Sequence, residues 1–165
     1  MVLLSREMLT DNQWLALRDA PQFVILAVAA SGGSRLDLLL ERTAGARAVA
    51  NGKNHDHPLL HAIAVPDEID VAMAAVKGRT VDARGSLRAP AELLQLAADA
   101  VRQAAAALRT TGGELDLYAY RQFTMDVARA VAEAAREDDF LGLGGYRVSD
   151  AERTVIAAVS QAFES

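Results

Sequence analysis

Eight consecutive apolar residues, Phe23 to Ala30, constrain this chain more than any other segment. A helix needs about 20 apolar residues to span a bilayer, so the run is too short for that. A helix that is apolar on every side is instead surrounded by protein. The rest of the chain must then supply the faces that enclose it. Pro21 is placed to end the preceding helix and to open this one, since a first-turn proline loses no needed hydrogen bond. Ser31-Gly32-Gly33 breaks the helix at its other end.

The enclosing segments read as helices too. Apolar residues make up 52% of the 165, enough to fill a core, and Ala and Leu dominate them. β-branched residues never gather into alternating runs. Thr10 and Gln13 form a capping box ahead of Trp14, Leu15 and Leu17. Ser34 and Asp37 make a similar start for a third helix, in which Gly45 predicts a bend. Pro58 opens a short helix that ends before Pro66. Another is expected over Asp67 to Lys77, closed by Gly78 in a left-handed cap. The polar stretch Gly78 to Ala89 reads as a mobile loop. Pro90 then begins an amphipathic helix with Leu93, Ala97, Val101, Ala104 and Leu108 on one face. Thr110 to Gly113 ends it. The next helix spans Glu114 to Glu137, with a stripe of Phe123, Val127, Val131 and Ala135. A glycine turn follows, and Ser149 with Glu152 caps the last helix.

The predicted fold class is therefore all-α, a compact bundle of about seven helices in a single domain over residues 1–165. An internal echo runs through it. Phe23–Ala30, a glycine turn and Ser34-x-x-Asp37 are similar to Val127–Ala135, a glycine turn and Ser149-x-x-Glu152. Two such hairpins can pack about a pseudo-twofold axis.

Composition narrows the chemistry. There is no cysteine, which excludes disulfides, thiolate metal sites and a cysteine nucleophile and fits a reducing cytoplasm. The N-terminus does not read as a signal peptide, so the expected location is cytoplasmic, with no membrane partner. The formal net charge is −5. One basic segment exists, Lys77, Arg79, Arg84 and Arg88 against Asp82, but it lacks interleaved aromatics, and nucleic acid is not an expected partner. The expected partner is a second copy of the chain or another protein. The helices Leu93–Leu108 and Phe123–Ala135 offer small-residue faces for symmetric pairing. Tyr118 and Tyr120 fall on the side of a helix as packing or interface residues.

Two constellations carry metal-binding chemistry. His55, His57 and His61 lie within seven residues, with Asp56 between the first two. Pro58 places His57 at a helix cap and His61 one turn later, a spacing at which imidazoles can hold zinc while Asp56 orients one of them. The second constellation is acidic: Glu137, Asp138, Asp139, Asp150 and Glu152 flank one glycine corner. Carboxylates converging from both helices suit calcium or magnesium. Asp150 and Glu152 also suit the positive end of a helix dipole, so capping explains part of the cluster without a ligand. The glycine sets carry no nucleotide chemistry: Gly142-x-Gly144-Gly145 follows a helix rather than a strand, and Ser31-Gly32-Gly33-Ser34 lacks the Lys-Ser/Thr of a phosphate loop.

The hairpin near Ala132–Glu137 and Ser149–Arg153 resembles the tellurite-resistance TerB-like family. Ala134, Ala135, Glu137, Asp150 and Glu152 carry the likeness, and residues 23–42 share it more faintly. The resemblance implies a compact all-helical protein with an internal repeat and a divalent cation at the acidic turn. The function expected on this basis is a binding or interaction module, stress-related, with no assigned catalytic residue. A small metal-dependent enzyme using the histidine segment and a structural homo-oligomer are the alternatives.

Overall fold

The computed structural model describes residues 2–32, 35–137 and 148–165; the side chains of residues 35–40 and 135–137 lie outside the description. Seven α-helices follow in chain order among the described residues: α1 (Asp11–Ser31), α2 (Arg35–Ala50), α3 (Pro58–Ile63), α4 (Pro66–Thr80), α5 (Pro90–Thr111), α6 (Glu114–Glu137) and α7 (Asp150–Ala162). Short 3-10 turns cover Arg6–Met8 and Asn51–Asn54. The extended pairing among the described residues is a single antiparallel bridge between Val81 and Leu87. The fold is an all-α bundle, and no described helix is long and apolar enough to cross a membrane.

Helix α1 is the axis of the bundle. It packs along α5 and also meets α2, α4, α6 and α7. Every residue from Ala20 to Ala29 is buried, as an all-round apolar run requires. The Thr10–Gln13 capping box forms at its start, with the Thr10 hydroxyl accepting from the Gln13 amide and the Gln13 side chain accepting from the Thr10 amide.

The structure corrects the expected break at Pro21, because α1 passes through it. Proline has no N–H, so the carbonyl four residues earlier, that of Leu17, loses its helical donor. Leu17 is fully buried, and a bare carbonyl there would be costly. Tyr120 on α6 fills the gap: its hydroxyl donates to the Leu17 carbonyl oxygen at 2.8 Å. Burial pushes the Tyr120 phenol well above its usual range, so the group keeps the proton it donates. Its ring also meets Phe163, with centroids 6.1 Å apart, and Phe123, at 6.3 Å. Tyr118, two residues earlier, is exposed.

Further expectations change. Helix α2 is continuous through Gly45. A Cβ at that position would lie 2.6–2.8 Å from three side-chain carbons of Ile25, so the glycine sets the close approach of α2 to α1. Helix α4 runs past Gly78 to Thr80, whose hydroxyl donates to the Val76 carbonyl at 2.9 Å. Residues 80–88 then form a tight hairpin. Asp82 Oδ1 accepts from the amides of Arg84 (2.8 Å) and Ser86 (3.0 Å), and Gly85 takes φ +79°, which favours glycine. The faces expected to pair with a second copy are filled within the chain: Leu93, Ala97, Val101 and Leu108 are buried in one core with Phe123, Val127 and Val131.

The account of Gly45 predicts the effect of a single methyl. Ala is the better helix former by about 1 kcal/mol, yet Gly45→Ala is expected to destabilise the fold by about 1–3 kcal/mol through overpacking against Ile25. Urea denaturation reads the sign directly, and a stabilised variant would contradict the close approach.

Candidate functional site

The histidine segment does not assemble as a ligand set. His57 is buried at the start of α3, and its Nε2 lies 2.9 Å from Asp116 Oδ1. An ionised carboxylate only accepts, so Nε2 carries the proton. His57 Nδ1 is buried without a partner among the described residues. His61 is exposed, and its Nε2 bonds the His55 backbone carbonyl. The His55 ring stands edge-on to Phe123 with centroids 6.1 Å apart, while Asp56 is exposed. Among the described residues no group of three or more His, Asp or Glu side chains is placed to hold a metal ion.

Asp116 is the residue that sequence reasoning missed. It occupies the third position of α6 and is buried. Besides His57 it accepts from the Gly113 amide at 2.7 Å and from the Leu4 amide at 2.9 Å. Three distant segments therefore meet on one carboxylate. The signal available in sequence was the spacing Gly113-x-x-Asp116, an acid at the third position of a helix. Burial opposes the charge most strongly. The Leu4 and Gly113 amides and His57 outweigh it and hold the carboxyl below its ordinary value. Beside this junction opens a cleft of about 490 Å³, whose lining includes the exposed side chains of Val2, Met8 and Leu115.

The acidic corner is described in part. Asp138 and Asp139 lie outside the described residues, as do the glycine turn and Ser34; Glu137 is described in its backbone alone, and Asp37 likewise. The Asp150 side chain is 97% exposed and pairs with Arg153 at 3.0 Å, so it faces water. Glu152 is buried. Its Oε2 accepts from the Ser149 amide at 2.9 Å while Ser149 Oγ accepts from the Glu152 amide at 3.1 Å, completing the expected capping box.

Glu152 also shares Gly32 as a neighbour with a carboxylate that the sequence did not single out. Glu41 on α2 is fully buried. A Cβ placed on Gly32, at the end of α1, would lie 3.0 Å from Glu41 Oε1 and 3.4 Å from Glu152 Oε1. Carboxylates from α2 and α7 thus converge on the glycine that ends α1, where the hairpins α1–α2 and α6–α7 come together.

The Asp116 junction predicts a pH signature. A carboxyl whose folded value is depressed contributes stability above its unfolded value, and that contribution disappears as pH falls through the folded value. Stability should therefore drop on acidification below about pH 4. Asn offers one acceptor oxygen for three donors, so Asp116→Asn is expected to cost about 1.5–3 kcal/mol at pH 7 and to flatten the acid limb. Denaturant titrations across pH check both, and an unchanged acid limb would refute the role given to this carboxylate.

No family model, curated protein or solved structure matches this chain, so the geometry above is what speaks to its function.

Proposed function

We propose that this chain is a binding module of the TerB-like kind, which takes a divalent cation where the end of α1 lies beside α2 and α7. The observation that carries the reading is the convergence of Glu41 and Glu152 on Gly32. Two carboxylates gathered at one buried point repel each other. A hard cation between them turns that repulsion into attraction, and carboxylate oxygens are the ligands that calcium and magnesium prefer. Gly32 leaves the space a side chain would fill. The second oxygen of Glu152 is engaged at the α7 cap and holds the first in place. The resemblance adds a stress-related role to the same proposal, and the reading assigns no catalytic residue.

Thermal melts with calcium or magnesium test it. A cation at a hundred times its Kd stabilises the native state by about 2.7 kcal/mol, which is roughly 5–10 °C for a chain of this size. The rise should saturate and should vanish in Glu41→Gln. It should persist in Asp150→Asn, because that side chain faces water. Absence of any saturable rise in the parent protein would overturn the proposal, and a rise that survives Glu41→Gln would place the cation elsewhere.

A further inference from the structure

The basic segment 77–88 has no part in that corner. The hairpin spends the one acid within it internally, because Asp82 Oδ1 accepts from its own backbone amides. Among the described residues no carboxylate forms an ion pair with Lys77, Arg79, Arg84 or Arg88. Four cations in twelve residues, without an ion pair among the described residues, contrast with a chain of net charge −5. Lys77 and Arg79 complement the negative end of the α4 dipole, which accounts for their presence in its last turn. It does not account for Arg88, which comes from the far side of the hairpin.

Arg79 and Arg88 line one cleft of about 590 Å³ with Gly78, Glu92, Gln95 and Leu96. Both guanidinium groups are held from behind. Arg79 stacks on the Phe23 ring, 4.8 Å from its centroid. Arg88 Nε donates to the Arg79 carbonyl at 3.1 Å. Ordering these long side chains in advance lowers the entropy a ligand must supply. The opposite wall is polar of another kind. Glu92 Oε2 accepts from the Ala89 amide at 3.2 Å, which fixes the carboxylate at the start of α5. Gln95 donates to Asp99 at 3.1 Å, so its carbonyl oxygen remains as an acceptor.

We propose that this cleft binds a small phosphate monoester that carries hydroxyl groups. The phosphate lies against the Arg79 and Arg88 forks, whose planar donors match its oxygens. The hydroxyls donate to Glu92 and Gln95. The cleft volume falls in the range of small-molecule sites. A bare anion would gain the arginines but face Glu92 with nothing to donate, so the ester binds more tightly than inorganic phosphate.

Isothermal titration of the full chain with glycerol 3-phosphate, inorganic phosphate and glycerol tests the assignment. The expected order is glycerol 3-phosphate first, inorganic phosphate weaker, and glycerol without detectable binding. Arg79→Gln and Arg88→Gln should each weaken the ester at least about tenfold, the effect of losing a charge-assisted hydrogen bond. Arg84→Gln, outside the cleft lining, should leave it unchanged. Failure of glycerol 3-phosphate to saturate the protein would overturn the proposal. Equal weakening by Arg84→Gln would overturn it as well, since diffuse attraction to the basic segment would then explain the binding. Because Glu41 and Glu152 are untouched, none of these outcomes bears on the cation site.

Discussion

One hydrogen bond allows the central helix to exist as a single piece. Pro21 removes the donor for the Leu17 carbonyl in the middle of α1, and the Tyr120 hydroxyl replaces it from α6. A proline inside a helix costs about 3 kcal/mol in an isolated setting. Here the lost bond is restored by tertiary structure, and the ring itself is packed in the core with its neighbours. The consequences spread because α1 packs against α2, α4, α5, α6 and α7. A break at residue 21 would redirect the apolar segment Phe23–Ala30 on which α2, α5, α6 and α7 close. The Tyr120 ring continues the link outward to Phe163, near the end of the chain, which Arg109 holds by donating to the Phe163 and Ser165 carbonyls.

What was legible in the sequence was local. The capping boxes at Thr10–Gln13 and Ser149–Glu152 are three-residue patterns and form as read. The start of α6 follows from the glycines before it, and the burial of Phe23–Ala29 follows from its composition. The features that escaped depend on distant partners. Pro21 reads as a boundary unless Tyr120, 103 residues from Leu17, is known to supply a donor. Gly45 reads as a weak point until Ile25 is seen to occupy the space of its missing side chain. The hairpin at 80–88 was a different kind of omission: Asp82 and Gly85 carry a turn signal that net polarity concealed.

The candidate sites show the same division. Histidine spacing suggested a shared ligand, but each imidazole is placed by its own neighbour, and His57 belongs to a junction organised by Asp116. Glu41 could not be singled out, because an acid within a helix normally faces water, and only the packing of α2 places it inside. Glu152 serves both as a cap and as one side of the carboxylate pair, so the choice between capping and ligation posed by the sequence is not exclusive. Charge sits at the joints of this bundle: Asp116 joins the N-terminal segment to α3 and α6, and Glu41 with Glu152 marks the meeting of the two hairpins.

A double-mutant cycle on Pro21 and Tyr120 addresses the central claim most directly. In the parent, Tyr120→Phe should cost about 1–3 kcal/mol, since it leaves a buried carbonyl without a donor. In a Pro21→Ala background, the restored amide of residue 21 can reach the Leu17 carbonyl, and the same tyrosine change should cost clearly less. The account predicts a coupling of about 1–2 kcal/mol between the two sites from denaturant unfolding, well outside the few tenths expected of independent positions. Additive effects would contradict it and show that Tyr120 stabilises the fold through its ring alone.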